Sequence, residues 1–132
     1  MNKNALSVLI VDDNDMMRTI LRGMLRGDEY EIVGEARNGV QAVEAAERLR
    51  PAIVCMDVLM PEKNGLVAMV EIKAAHPEIE FIVITGSADP HTVQEAIHHG
   101  ATGFIVKPFN AARVLDAMKK AATRIRQRPP AA

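Results

Sequence analysis

Five polar residues stand at the ends of four short apolar runs, and each carries a side chain suited to phosphate or to a hard metal ion. Asp12 and Asp13 follow Leu6–Val11, Asp57 follows Ile53–Met56, Thr85 ends the run from Phe81, and Lys107 follows Gly103–Val106. Three carboxylates brought together repel, and such a cluster is tolerable only with a cation, a raised pKa or solvent exposure. Hard oxygen ligands with no nearby cysteine or ordered histidine pair favour magnesium, which takes one or two protein carboxylates and keeps several waters. A lysine point charge and a threonine hydroxyl beside that metal suit a phosphoryl group, whose transfer is mainly positioning plus charge neutralisation. A carboxylate free of full metal duty can then serve as the nucleophile. Asp57 fits that role best, because it stands alone at the end of the central strand. Each residue also has a plainer reading when taken singly: an Asp-Asp helix cap, a turn aspartate, a capping threonine, a solvated lysine.

These positions meet only if the elements before them run in parallel. Leu6–Val11 is nearly all apolar and β-branched, as expected of a strand buried on both faces. Met17, Ile20, Leu21, Met24 and Leu25 then place one stripe on a helix, stopped by Gly27 and Asp28. A second strand spans Tyr30 to Ala36; a helix opening at Asn38-Gly39 carries Val40, Val43, Ala46 and Leu49 and closes at Pro51. Ile53–Met56 is the third strand, and Leu66, Met69, Val70 and Lys73 mark a third helix ended by His76-Pro77. Phe81–Ile84, a helix from Pro90 behind the N-cap Asp89, and Gly103–Val106 follow; Val114, Leu115, Met118, Ala121 and Ile125 mark the last helix. Strict alternation predicts a doubly wound α/β fold, a five-stranded parallel sheet flanked by five helices. Ligands of such a sheet bind outside the carboxyl ends of its strands. The second strand adds no polar group there, which suits an outer position and the order 2-1-3-4-5.

The chain has 132 residues, the length of one domain, which we place at 1–126 with 127–132 as a flexible tail. Sixteen basic and seventeen acidic side chains leave a formal charge of −1, which argues against nucleic acid or an anionic membrane as a partner held by bulk charge. A single cysteine, Cys55, excludes an internal disulfide framework and reads as a small core residue. The first apolar run is too short for a signal peptide or a membrane span, so the cytoplasm is the expected compartment.

The combination Val11-Asp12-Asp13, Met56-Asp57-Val58-Leu59-Met60-Pro61-Glu62-Lys63-Asn64-Gly65, Ile84-Thr85-Gly86 and Val106-Lys107-Pro108-Phe109 resembles the receiver domain of two-component response regulators, of the flavodoxin-like, CheY-like kind. The resemblance runs from about Leu6 to Ile125. It implies that Asp57 accepts a phosphoryl group from a phosphohistidine on a sensor histidine kinase or a histidine phosphotransfer protein. Asp12 or Asp13, with Asp57 and the backbone carbonyl of Leu59, would hold Mg2+. Thr85 would hydrogen-bond the phosphoryl group and Lys107 would pair with it. Pro108 resembles the family's cis proline, which would fix the lysine's aim. Phe104 occupies the aromatic switch position and, lacking a tyrosine hydroxyl, would rest inward on packing alone. The fourth helix, fifth strand and last helix would form the face that controls a downstream target or an output domain removed from this chain. Such a chain would be no turnover enzyme, although it would catalyse its own phosphorylation and dephosphorylation. Two positions depart from the best-known chemotaxis pattern, Leu59 and Ser87. Leu59 has no side-chain polar group to orient an attacking water, which points to a comparatively long-lived phosphorylated form.

The competing reading is a small magnesium-dependent phosphohydrolase with an aspartyl nucleophile, for which Asp13-Asn14-Asp15 offers an Asp-x-Asp pair. The haloacid-dehalogenase-like pattern wants Thr or Val two residues on, where Met17 stands, and no length remains for a cap domain. A constitutive module with a vestigial site is a third reading, set against the intact acidic, threonine and lysine positions. Adjacent His98 and His99 are expected on different helix faces and so make poor joint ligands. The basic residues from Arg113 to Arg128 are expected to form a solvated face.

Overall fold

In the computed structural model the structure describes residues 4–58, 60, 64–86 and 89–129. Among these, five strands alternate with five helices: β1 (Leu6–Val11), α1 (Asp15–Met24), β2 (Tyr30–Ala36), α2 (Gly39–Leu49), β3 (Ile53–Met56), α3 (Gly65–Ala75), β4 (Glu80–Thr85), α4 (Pro90–His98), β5 (Gly103–Val106) and α5 (Ala111–Arg126). The sheet is parallel throughout, in the order β2-β1-β3-β4-β5. Leu59, Pro61, Glu62, Lys63 and Ser87 lie outside the described residues.

The strands are apolar without alternation because both faces of the sheet are covered. Leu9, Val11, Val54, Met56, Phe81 and Val83 point to the layer closed by α2, α3 and Ala96 of α4. Their neighbours Val8, Ile10, Ile53, Cys55, Ile82 and Ile84 point to the layer closed by α1 and α5. Asparagines start four helices: the side chains of Asn14, Asn38, Asn64 and Asn110 accept the backbone N–H of Met17, Gln41, Leu66 and Arg113. Each cap satisfies a donor that the helix leaves orphaned, worth about 1 kcal/mol.

Several stripe residues lie outside the core. Ile20, Val40 and Val70 are each 40% exposed and Leu115 is 41% exposed. Each helix lays one narrow stripe on the sheet, and on α5 that stripe is Val114, Met118, Ala121 and Ala122. Leu115 is turned about 100° from Val114 and faces outward.

The C-terminal region is not a plain solvated face. Glu80, only 1% exposed at the amino end of β4, accepts hydrogen bonds from the Thr102 hydroxyl, from Arg124 Nε at 2.9 Å, and from Arg128. Arg126 pairs with Glu29 at 3.5 Å. Arg128 falls in the segment expected to be a flexible tail, and it is tied to the sheet through that carboxylate. No described helix is long and apolar enough to cross a membrane.

Candidate functional site

The sheet's hydrogen-bond ladder continues one residue past the carboxyl ends of its strands. Asp12 N–H donates to Ala36 O at 3.1 Å, Asp57 N–H to Val11 O at 3.0 Å, and Lys107 N–H to Thr85 O at 2.8 Å. The backbones of Asp12, Asp57 and Lys107 are therefore fixed by neighbouring strands, while their side chains have left the core and point over the edge.

Asp12, Asp13 and Asp57 each bring a carboxylate oxygen into one group whose members lie within 4.8 Å of one another. Asp12 and Asp57 are buried, and Asp13 is exposed at the rim. The Lys107 ammonium sits between the two buried carboxylates, 3.0 Å from Asp12 Oδ2 and 3.2 Å from Asp57 Oδ2. Burial pulls the lysine pKa down, but the hydrogen bond to Asp12 and the charges of Asp57 and Asp12 outweigh it, so the net shift is upward. Three carboxylates share one ammonium, so acidic groups outnumber basic ones in the cluster. An all-oxygen donor set of this size, open on the Asp13 side, fits a hard divalent cation that retains water.

Thr85 ends β4, fully buried, and its carbonyl receives the Lys107 amide. The Lys107–Pro108 peptide is cis, and Pro108 is exposed. Phe104 pairs with Val83 in the sheet and is half-buried against the α2–α3–α4 layer. A cleft of about 410 Å³ beside it is lined by Ile97, Thr102, Phe104, Lys120 and Arg124.

Gly65, which closes the Asp57 motif, begins α3 against the loop that leaves Asp57. A Cβ there would stand 2.2 Å from Asp57 O and 2.8 Å from Val58 Cα, and the Gly65 amide donates to Val58 O at 2.9 Å. Only a residue without a side chain lets the helix come so near the loop that leaves Asp57.

Arg18 escaped the sequence reading. It is 9% exposed, and its guanidinium donates to the Asp12 carbonyl at 2.6 Å, to Glu35 at 3.0 Å through Nε, and to Asp15. A signal was present: Arg18, Leu21 and Leu25 share the spacing of a buried stripe, and arginine is buried only when paired. Cys55 is buried beside Met118, its thiol pushed up to about 12 by burial, in keeping with an inert core residue. The rings of His98 and His99 meet edge to face at the end of α4, 5.2 Å apart.

Comparison with known proteins gives a consistent picture. The family model described as "Response regulator receiver domain" matches residues 8–119. The chain is 46% identical over 113 residues to the chemotaxis protein CheY of Thermotoga maritima, covering 86% of this chain and 94% of that protein. Its structure is similar to the REC domain of AraT, a response regulator from Geobacillus stearothermophilus, with a TM-score of 0.86 and 30% identity over 93% of this chain and 97% of the other. It is also similar to a chain of the CheX-CheY-BeF3-Mg+2 complex from Borrelia burgdorferi, with a TM-score of 0.82 and 28% identity over 86% of each chain.

Proposed function

The chain belongs to the response regulator receiver domain family, and from that premise we propose that Asp57 accepts a phosphoryl group from a phosphohistidine donor in a magnesium-dependent reaction. The observation that carries this reading is the meeting of Asp12, Asp13 and Asp57 within 4.8 Å, with the Lys107 ammonium touching two of them. A carboxylate oxygen of Asp57 attacks phosphorus; the O–P bond forms as the donor's N–P bond breaks, and the histidine nitrogen leaves with the bonding pair. Bound magnesium supplies charge neutralisation to the phosphoryl oxygens. Asp12, Asp13 and Asp57 are the residues that would hold it.

The remaining steps belong to this chain's own side chains. A phosphoryl group adds up to about two negative charges at residue 57. Lys107 exchanges its two carboxylates for a phosphoryl oxygen, and the Thr85 hydroxyl turns to donate to another. Because the Thr85 carbonyl holds the Lys107 amide at 2.8 Å, the two respond together. Space given up by Thr85 then admits Phe104. The phosphoryl group shifts the equilibrium between the two arrangements only by its different interaction with each.

The partners on this reading are a sensor histidine kinase or histidine phosphotransfer protein upstream and a downstream target or output domain, met through α4, β5 and α5. Ile97 at 59% exposure, Val106 and Leu115 give that face apolar contact area. The chain acts once per phosphorylation, catalysing the gain and loss of its own phosphoryl group, and its proposed compartment is the cytoplasm.

The test is incubation with Mg2+ and acetyl phosphate, read by intact mass and peptide mapping, with Asp57→Asn as control; BeF3, present in the similar Borrelia burgdorferi complex, is a stable probe of the same site. One phosphoryl group per chain on the Asp57 peptide, absent in Asp57→Asn and with EDTA, is expected. Continuous phosphate release from small esters without an adduct would assign a phosphohydrolase instead, and neither adduct nor turnover would leave the reading without support.

A further inference from the structure

We propose that Arg18 is a positioning residue for the acidic site: by holding the carbonyl of Asp12 it fixes the Asp12–Asp13 peptide, so that the Asp13 carboxylate faces Asp57. This inference rests on the reading of Asp12, Asp13 and Asp57 as the cation site, and it adds a residue that touches neither cation nor phosphate.

The argument begins with the peptide unit. The carbonyl of Asp12 and the N–H of Asp13 lie in one rigid plane with both Cα atoms. Arg18 Nη1 donates to that carbonyl at 2.6 Å in a buried hydrogen bond. The other groups of Asp12 are also engaged: its amide donates to Ala36 O at 3.1 Å, Oδ1 accepts the Asn14 amide at 2.9 Å, and Oδ2 accepts Lys107 at 3.0 Å. Asp13 is exposed and belongs to the loop, not to β1 or α1. Arg18 therefore fixes the plane from which Asp13 starts.

Arg18 reaches this carbonyl because helical side chains lean toward the N-terminus of their helix. It stands in the second turn of α1, four residues after the N-cap Asn14. A cation near the positive end of a helix is unfavourable for the helix itself. Burial adds a further cost unless the charge is paired. Helix stability therefore does not account for an arginine here. Its charge is met by Asp15 and by Glu35 on β2, and Glu35 is also paired with Arg22. Matched in this way, the guanidinium can orient the Asp12–Asp13 peptide without opposing a divalent cation at the rim. Glu35 ties the arrangement to the outer strand, so the loop after β1 is gripped from both β2 and α1.

Calorimetric titration of Mg2+ into the wild-type chain and into Arg18→Gln, Arg18→Lys, Asp13→Asn and the Arg18→Gln/Asp13→Asn pair tests this. Arg18→Gln should weaken Mg2+ binding by about 10-fold, the scale at which groups orienting a metal's ligands act. Its rate of adduct formation from acetyl phosphate at saturating Mg2+ should stay within about twofold of wild type. Arg18→Lys, which can keep one donor on the carbonyl, should recover part of the affinity. In the Asp13→Asn background Arg18→Gln should add less than about twofold, since the ligand it orients is gone; losses that simply multiply are the mark of independent sites. Unchanged Mg2+ affinity in a folded Arg18→Gln, or full multiplication in the double variant, overturns the inference. Should Arg18→Gln fail to fold, Arg18→Lys and its combination with Asp13→Asn carry the same comparison. A wild-type chain that forms no adduct sinks the functional reading instead, so the two failures are distinguishable.

Discussion

Lys107 is a resident counter-ion. With no metal at the rim, its ammonium is the charge that lets Asp12 and Asp57 remain close in a half-dry setting. Lys107→Met removes that charge and keeps most of the aliphatic stem. The variant should lose about 2 kcal/mol in EDTA, less than a fully buried pair would because the lysine side chain keeps 22% exposure. It should regain part of this in millimolar Mg2+, and its Mg2+ affinity should rise because no ammonium competes for Asp12 and Asp57. Thermal melts with and without Mg2+ check both signs; a variant equally stable with and without the ion would contradict the role. The pH dependence of this pairing lies far from neutrality. The folded lysine pKa is raised, so the pairing is fully present below the ordinary lysine value and is lost only as pH rises through the higher folded one.

At the scale of elements, the site depends on how near α3 comes to the end of β3. Gly65→Ala places a methyl 2.2 Å from the Asp57 carbonyl, and backbone on both sides must move. The expected cost is about 2–3 kcal/mol in a denaturant titration, toward the upper end for overpacking, because backbone atoms cannot step aside as a side chain can. The movement also shifts Asp57, so Mg2+ affinity should fall in the same variant. A stable Gly65→Ala with normal Mg2+ binding would show that the close approach is not required. The four asparagine caps act at the same scale: each starts its helix at once after a loop, and three of them, Asn14, Asn64 and Asn110, stand in the loops that carry Asp12 and Asp13, follow Asp57, or follow Lys107.

Across the whole molecule, the two ends of the sheet hold opposite devices. The carboxyl edge gathers acid around one lysine, and the amino edge buries one acid under two arginines. Glu80 joins β4, the loop before β5 and the end of α5 through Thr102, Arg124 and Arg128. Burial alone would raise its carboxyl pKa; hydrogen bonds from Thr102 and Arg124 and the charges of Arg124 and Arg128 outweigh that and hold it below the usual range. A depressed folded value means stability that is present above the ordinary glutamate pKa and lost as pH falls through the folded one. Glu80→Gln should therefore cost about 1–2 kcal/mol at pH 7, since Arg124 remains largely exposed. It should also flatten the acid limb of the stability curve below about pH 4.5. Some slope should remain, because the hydrogen bond from His76 holds the Glu47 carboxyl low with the same sign. An unchanged acid limb in Glu80→Gln would show that the amino-edge cluster does not couple to global stability.

Much of this was legible in the sequence because it is written in local pattern. Apolar runs and helical stripes are properties of neighbouring residues, and alternation of the two restricts the topology to a parallel sheet with its ligand edge at the carboxyl ends. Asp12, Asp57, Thr85 and Lys107 are placed on one edge by pattern alone, since each directly follows or ends a strand, and Asp13 comes with Asp12. What lay beyond the sequence is pairing between residues far apart in the chain. The outward turn of Leu115, the burial of Glu80 under Arg124 and Arg128, and the grip of Arg18 on Asp12 depend on which side of a helix meets the sheet and on which charges then lose water. A charged side chain carries no local sign of its partner; burial decides that it must have one, and only the packed chain decides which.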